Sequence, residues 1–339
     1  MTVRDPSPTH VPTDVSTGAS APLAHVVRGD LVESVHLGHL SAIDSEGASV
    51  LAIGDPEVTM WPRSSVKPLQ AVAMLRHGLD LPDRLLALAS ASHNGEPDHI
   101  AGALEILARA GLTESALRNT PDLPWGSTAM RDWLAAGQGA EQISQNCSGK
   151  HSAMLLTCVT AGWDTATYLA PDHPLQVAIR ETIEEFTGVP VATETVDGCG
   201  APLFASTVTG LARAFARIAS APTRDPESPE ARVARAMAAF PQMVAGGQRP
   251  TTTLMRAVPG LVAKDGADGV FAAGLTDGRA VAFKVLDGAE RPLAPVLVAA
   301  LDALGAFVGD DVDQAAVGAL RERAVLGAGE PVGSVRPAF

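Results

Sequence analysis

The chain has 339 residues, of which 46% are hydrophobic and 19% are charged, and its formal net charge is −13. This length is enough for one large globular domain or two of ordinary size. The acidic charge argues against nucleic acid as a partner, and no apolar run is long enough to cross a membrane, so we expect neither partner.

The N-terminal segment and the cysteines indicate where the protein resides. Residues 1–22 are rich in Pro, Ser and Thr and lack the basic and apolar regions of a signal peptide, so we expect a disordered tail. The three cysteines, Cys147, Cys158 and Cys199, are an odd number, which fits a reducing compartment better than a disulfide framework. We therefore expect a cytoplasmic protein.

The hydrophobic pattern predicts strands, then helices, then strands again. Four alternating segments predict an antiparallel meander at 25–28, 31–35, 39–43 and 49–53. A helix is predicted to start near Ser64, and helical spacing predicts further helices at 83–89, 98–110, 128–136, 147–161, 175–186, 207–219 and 229–239. Strands return at 269–274 and 279–286, before a last helix at 293–308.

This order of elements predicts an α/β (α+β) fold, in which both chain ends contribute to one antiparallel sheet. We expect the sheet from 23–62 and 262–308, and a helical lobe from about 63–261. A single catalytic domain would then cover 23–328, with a C-terminal tail at 329–339. The only linker-like stretch inside the domain is 220–228.

Lysine is scarce, because only four lysines stand against 21 arginines. Only a lysine amine can lose its proton when it is buried and then act as a base. Ser64 and Lys67 are three residues apart at a predicted helix start, which places their side chains on one face, with Cβ atoms about 5–6 Å apart. Lys67 could therefore take the proton of Ser64 and activate it as a nucleophile. By chance alone, roughly one such sequence in four would show this spacing, and Ser65 offers a second hydroxyl.

A second lysine lies in Lys264-Asp265-Gly266, just before the later strand pair. Penicillin-recognising enzymes combine an early Ser-x-x-Lys at a helix start with a late Lys-Thr-Gly on a strand, and this layout is similar. The alternative is a simple turn, since Asp-Gly is common in turns and a neighbouring lysine is usually solvated.

Two polar clusters are further candidates. Residues 91–96 bring together Ser92, His93 and Glu96, which could serve catalysis or could cap the next helix. Cys147, Lys150 and Cys199 could hold zinc, although the spacing is weak evidence and buried cysteines often act as small apolar groups. Cys158, inside an apolar run, is expected to do only that.

Together these motifs resemble the rhizobial-type, or class 3, zinc-containing L-asparaginases, from about Leu23 to Val308. Arg63 to Pro68, Ala91 to His93, Asn146 to His151, 171–176 and 197–199 carry the resemblance, which extends through 255–257, 260–264 and 285–288. Ser65 and Asn94 are departures from the family pattern, and neither removes a proposed role.

The resemblance implies a fold related to serine β-lactamases and serine-dependent glutaminases, and hydrolysis of L-asparagine to L-aspartate and ammonia. It implies two catalytic pairs, Ser64 with Lys67 and Ser92 with Lys264. Which serine attacks is not settled by the motif. We favour Ser64, because its amine partner is local.

The resemblance also implies a cofactor and a substrate site. Zn²⁺ would be ligated by Cys147, Lys150 and Cys199, with Asp197 holding a zinc-bound water, and would orient the substrate. The expected substrate contacts are Arg63, His93, Glu96, Asn146 and Asp197. A homodimer is implied as well.

Three other functions remain open on the sequence. A glutaminase differs by one methylene of substrate, a discrimination worth only about 1–3 kcal/mol. A β-lactamase-like serine acyl hydrolase would share the Ser-x-x-Lys, but would normally act outside the cytoplasm. In a zinc- or thiol-sensing binding module, the cysteines would matter and the serines would be helix caps.

Overall fold

The computed structural model describes residues 19–339, which form a large antiparallel sheet and a helical lobe. The strands are β1 Ala21–Arg28, β2 Leu31–Ile43, β3 Ser49–Ile53, β4 Thr59–Met60, β5 Glu194–Val196, β6 Pro202–Phe204, β7 Ser206–Thr207, β8 Val262–Gly266, β9 Val270–Gly274, β10 Ala280–Val285, β11 Arg323–Gly327 and β12 Glu330–Pro337. The α-helices are α1 Lys67–Arg76, α2 Asp83–Ala89, α3 Pro97–Arg109, α4 Ser127–Ala135, α5 Ser148–Ala161, α6 Pro174–Thr187, α7 Val208–Arg224, α8 Pro229–Ala239, α9 Pro241–Val244, α10 Pro250–Ala257, α11 Leu293–Ala303 and α12 Gln314–Gly318.

The main sheet joins the two ends of the chain. Its strand order is β11-β12-β1-β2-β10-β9-β8, and β3 pairs with β2 at the side of this path. Every pair is antiparallel, and the register places Leu40 of β2 opposite Phe283 of β10, and Val26 of β1 opposite Val335 of β12. The predicted fold class is therefore confirmed: a mixed α/β fold whose antiparallel sheet comes from both chain ends and carries a helical lobe.

Helices cover both faces of this sheet. Gly274 of β9 lets α7 approach closely, because a Cβ at that position would lie 2.4 Å from the carbonyl oxygen of Phe215. Phe271 lines a cavity together with Leu293 of α11, and it lies on the other face because side chains alternate along a strand. The strand β8, which carries Lys264, is the last strand of this order and forms the edge of the sheet next to the helical lobe.

The helical lobe follows local rules that position the site. The segment Arg63–Val66 is a short 3₁₀ helix that leads directly into α1. Pro68 is tolerated because it lies in the first turn of α1, where no backbone donor is needed. Helix α5 begins after Cys147 and ends at Gly162, whose φ of 71° suits a left-handed cap. Within residues 19–339, no helix is long and apolar enough to cross a membrane.

Three sequence predictions are wrong. The segments 31–35 and 39–43 form one continuous strand, β2, so Leu37-Gly38 is not a turn. Residues 220–224 continue α7 and are not a linker. The predicted C-terminal tail at 329–339 contains β12, which pairs with β1 inside the sheet. Of the predicted tail at 1–22, residues 1–18 lie outside the described residues, and the last two begin β1.

Candidate active site

The Lys67 amine lies at the centre of the site. The side chain is buried at the start of α1, with 1% of the residue exposed. Its Nζ donates hydrogen bonds to the carbonyl oxygen of Ala91 at 2.6 Å, to Ser92 Oγ at 2.9 Å and to Cys147 Sγ at 3.0 Å. One amine therefore connects the start of α1 with the loop after α2 and the residue before α5.

Ser64 and Lys67 line one small cavity, whose volume is about 10 Å³. The hydroxyl of Ser64 makes no hydrogen bond with any residue of the described range 19–339. The neighbouring Ser65 is fully buried and its hydroxyl donates to the carbonyl oxygen of Pro62 at 2.6 Å. Of the two adjacent serines, Ser64 is the one whose hydroxyl is available in the cavity.

Ser92 is held tightly in the loop between α2 and α3. Its backbone N–H donates to the carbonyl oxygen of Val244 at 3.0 Å, and its own carbonyl oxygen accepts from Arg249 at 2.9 Å. The hydroxyl faces Lys67, with only 1% of the residue exposed. The structure thus brings Ser92 to Lys67, whereas the resemblance paired it with Lys264.

Lys264 lies on β8 and is fully buried. Its Nζ donates to the carbonyl oxygen of Asp265 at 2.6 Å and to the Oδ1 of the same residue at 3.3 Å. Burial lowers the pKa of Lys264 to about 7, against the opposing effect of the Asp265 carboxylate. Lys264 therefore changes charge near neutral pH.

Arg249 and Asp265 connect Lys264 to Ser92, and sequence reasoning missed both roles. Arg249 donates to Asp265 Oδ2 at 2.6 Å as well as to Ser92, and its guanidinium stacks over Trp125 at 4.2 Å. Burial alone would raise the pKa of Asp265, but the charges of Arg249 and Lys264 hold that pKa below its usual range. The sequence does not distinguish Arg249 from the other arginines, since Arg291 and Arg336 also directly precede a proline.

Cys147, Lys150 and Cys199 form a second buried cluster beside Lys67. Lys150 Nζ donates to Cys199 Sγ at 3.2 Å, and all three residues are at most 3% exposed. The hydrogen bond between the two sulfurs raises the pKa of Cys147 to about 12 and lowers that of Cys199 well below its ordinary value. Of the two thiols, Cys199 therefore has the lower pKa and the more stable thiolate.

These three donors fit zinc in type, because zinc in proteins is bound by thiolate sulfur and by nitrogen. Within residues 19–339, no group of three or more His, Cys, Asp and Glu side chains could hold a metal, so the set depends on the amine of Lys150. Burial alone would lower the pKa of Lys150, but Cys199 and Cys147 raise it. Zinc would therefore have to displace a proton from this lysine.

Arg63 and Asp197 border the Ser64 cavity. Arg63 Nε donates to Asp197 Oδ1 at 2.7 Å, and Arg63 also pairs with Asp268 of the β8–β9 turn. Burial alone would raise the pKa of Asp197, but the charges of Lys150 and Arg63 hold it below its ordinary value. Both predicted substrate contacts thus lie at the cavity of the predicted nucleophile.

The other predicted substrate contacts lie outside this cavity. His93 is fully buried, and burial lowers its pKa well below 6.5. It accepts from the Gly95 N–H and donates through Nε2 to Ser148 Oγ at 3.0 Å. Glu96 caps α3 through a capping box. Asn146 accepts from Cys147 Sγ at 3.0 Å.

Comparison with protein families decides the assignment. The model described as L-asparaginase II matches residues 24–337, which is nearly the whole chain. The chain belongs to the L-asparaginase II family. Membership of this family implies an amidohydrolase that acts on a small-molecule amide.

Comparison with individual proteins adds little to the family assignment. No curated protein matches the sequence. Among solved structures, Mglu in its native form is 15% identical over 75% of this chain and 59% of that chain, with a TM-score of 0.34. Mglu in its tris and glutamate form is 14% identical over 80% and 60%, with a TM-score of 0.37. A β-lactamase from Mycobacterium bovis is 14% identical over 74% and 88%, with a TM-score of 0.33. This chain spans less than two thirds of these two Mglu chains, and TM-scores this low do not decide the substrate.

Proposed function

We propose that the protein hydrolyses L-asparagine to L-aspartate and ammonia through a serine nucleophile. The observation that carries this proposal is the position of Lys67, which shares one cavity with Ser64 and hydrogen-bonds to Ser92 Oγ at 2.9 Å. Hydrolysis of an amide needs a nucleophile, a base for its proton and an acid for the leaving nitrogen. Ser64, Lys67 and Ser92 can supply these three functions in that order.

The proton path follows from these contacts. Lys67, after its ammonium group has released one proton to solvent, takes the proton of Ser64 while the serine oxygen forms a bond with the amide carbon. The C–N bond then breaks, and Ser92 gives its proton to the leaving nitrogen while it receives one from Lys67. Ammonia departs, and water cleaves the resulting ester by the same path in reverse. Lys264 supplies a nearby positive charge that responds to pH near 7.

We infer that Cys147, Lys150 and Cys199 hold zinc beside this path. When bound, zinc would supply a Lewis-acidic centre that orients polar groups of the substrate. Cys147 accepts from Lys67 and Lys150 donates to Cys199, so the cluster and the serines share one hydrogen-bonded network. Cys158 plays no part, because burial in the apolar core raises its pKa to about 12.

The proposal is tested by ammonia release from L-asparagine and from L-glutamine, at matched concentrations. We expect turnover of L-asparagine by the wild-type protein, and loss of about 10³-fold or more in kcat for Ser64→Ala. Ser65→Ala is the matched control, because its hydroxyl donates to Pro62 and not to the reacting groups. It should keep wild-type kcat.

Two outcomes would redirect the proposal. Equal activity of Ser64→Ala and wild type, together with an inactive Ser92→Ala, would transfer the nucleophile to Ser92. Faster turnover of L-glutamine than of L-asparagine would identify a glutaminase that uses the same groups. No turnover of either amide would overturn the amidohydrolase proposal and would require ester and β-lactam substrates to be tested.

A homodimer in the cytoplasm completes the proposal. The family resemblance supports the dimer, and the odd number of free, buried cysteines supports a reducing compartment. Light scattering should give a mass of about twice 34.8 kDa. Cell fractionation should recover the protein with cytoplasmic markers.

A further inference from the structure

Arg63, which lines the Ser64 cavity, pairs with two carboxylates that come from different parts of the fold. Asp197 follows β5 in the helical lobe, and Asp268 lies in the turn between β8 and β9 of the sheet. The side chain of Asp197 is 13% exposed, whereas that of Asp268 is 64% exposed. One guanidinium beside the proposed nucleophile therefore connects the lobe and the sheet.

The cavity that Arg63 lines together with Ser64 is small. Its volume of about 10 Å³ is at the lower limit for one water molecule, and an amino-acid amide needs far more space. Some part of the rim must therefore move before Ser64 can reach a substrate. The contacts of the two carboxylates show which part is free to do so.

The Asp197 side of the rim is fixed. Asp197 Oδ1 accepts from the Gly198 N–H at 2.9 Å as well as from Arg63, and the charge of Lys150 stabilises the carboxylate. The base of the β8–β9 hairpin is fixed as well, because a Cβ on Gly266 would lie 2.7 Å from the carbonyl oxygen of Pro62. Of the two partners of Arg63, the Asp268 carboxylate is the more exposed, while the backbone of the turn is held by Lys284, whose Nζ donates to the carbonyl oxygen of Asp268.

We propose that Asp268 is an internal competitor of the substrate: it holds Arg63 in the substrate-free protein, and the α-carboxylate of the amino-acid substrate replaces it. The exchange substitutes one carboxylate on the guanidinium for another, so Arg63 keeps two anionic partners throughout. Asp268 is thus a specificity-determining residue for substrates that carry a carboxylate. This inference rests on the proposed function.

The test compares Asp268→Asn with Asp277→Asn. Asp277 is the matched control, because it is the exposed aspartate of the next hairpin turn and pairs with Arg279 away from the site. We expect Asp268→Asn to lower KM for L-asparagine about two- to fivefold, the range that a partly exposed ion pair allows, with kcat within about twofold of wild type. Asp277→Asn should change neither constant.

Specificity for the carboxylate gives a second comparison. L-Asparaginamide lacks the α-carboxylate, so Asp268→Asn should leave its KM unchanged. An equal drop in KM for both substrates would overturn the exchange, since it would show that the turn only blocks access. An unchanged or raised KM for L-asparagine in Asp268→Asn, with native thermal stability, would overturn the proposal as well.

Binding separates failure of this inference from failure of the proposed function. If the wild-type protein releases no ammonia, the function fails and calorimetry with L-asparagine and L-aspartate still tests the exchange. Tighter binding of either amino acid to Asp268→Asn than to wild type supports it. Equal binding to both proteins, or binding to neither, overturns it.

Discussion

Lys67 and Lys264 are both fully buried amines, but their surroundings differ. Lys67 donates to a carbonyl, a hydroxyl and a thiol, which come from segments 24 to 80 residues away in the chain. Lys264 donates twice to the residue that follows it, Asp265, whose carboxylate is in turn bound by Arg249. One lysine thus connects distant segments through uncharged groups, and the other lies against a single carboxylate.

Because their surroundings differ, the two lysines are expected to have different roles in the reaction. Hydroxyl and thiol partners can give or take a proton, so Lys67 is placed to transfer protons between side chains. A carboxylate partner favours the charged amine, so Lys264 is placed to supply positive charge, although burial brings its pKa down to about 7. We therefore expect removal of Lys67 to abolish chemistry and removal of Lys264 to change its pH dependence.

The largest expected effect tests the different roles of Lys67 and Lys264 directly. Lys67→Met should reduce kcat for amide hydrolysis by about 10³-fold or more, because general base and acid catalysis are lost together. Lys67→Arg should be equally impaired, since a guanidinium keeps the charge but does not give up its proton. Lys264→Met should lose less, about 10- to 100-fold. Ammonia release at saturating substrate measures all three, with circular dichroism as the test of folding.

The opposite ranking would reverse the assignment. If Lys264→Met loses more kcat than Lys67→Met, with both proteins folded, then Lys264 is the base. If Lys67→Arg keeps more than a tenth of the wild-type kcat, proton transfer through Lys67 is excluded.

The next prediction concerns the third buried lysine, Lys150, and its two sulfurs. Zinc bound per chain, measured by mass spectrometry after dialysis, should be about one for wild type and near zero for Cys147→Ala. Cys158→Ala is the matched control, because Cys158 is a buried cysteine outside this cluster, and it should retain zinc. Equal zinc content in the two variants would remove the metal site from the proposal.

The sequence was informative where the chemistry is local. The Ser64 and Lys67 motif, the start of its helix and the strand pair after Lys264 follow from spacing, and the structure contains each of them. The contact of Lys67 with Ser92 joins residues 25 apart, and no periodic pattern specifies it. Arg249 was missed for the same reason, because its partners lie on another loop and on β8.

The last two strands show a second limit of prediction from the sequence. Strands β11 and β12 were not predicted, since neither has a long buried face: most of their residues are exposed or half-exposed. Val335 is the buried contact that secures β12 against Val26 of β1. Alternation of buried and exposed residues is the main sequence signal for a strand, and it is faint here. Tertiary pairing with β1 determines this segment instead.

The smallest expected effect is a change in the free energy of unfolding with pH, which tests the charge state of Lys264. The folded-state pKa of Lys264 is about 7, well below the value of an exposed lysine, so the unfolded chain binds more protons between pH 7 and about 10. The free energy of unfolding should therefore rise with pH in this window, by roughly 2 kcal/mol between pH 7 and pH 9 from this one group. Below pH 6 the amine is protonated in both states, so it contributes no slope to the free energy of unfolding.

Urea unfolding of wild type and Lys264→Met at pH 5, 6, 7, 8 and 9 checks this prediction. The two stability curves should run parallel at pH 5 and 6, and between pH 7 and 9 the wild type should gain roughly 2 kcal/mol relative to Lys264→Met, whereas curves parallel throughout would mean that Lys264 stays charged beside Asp265.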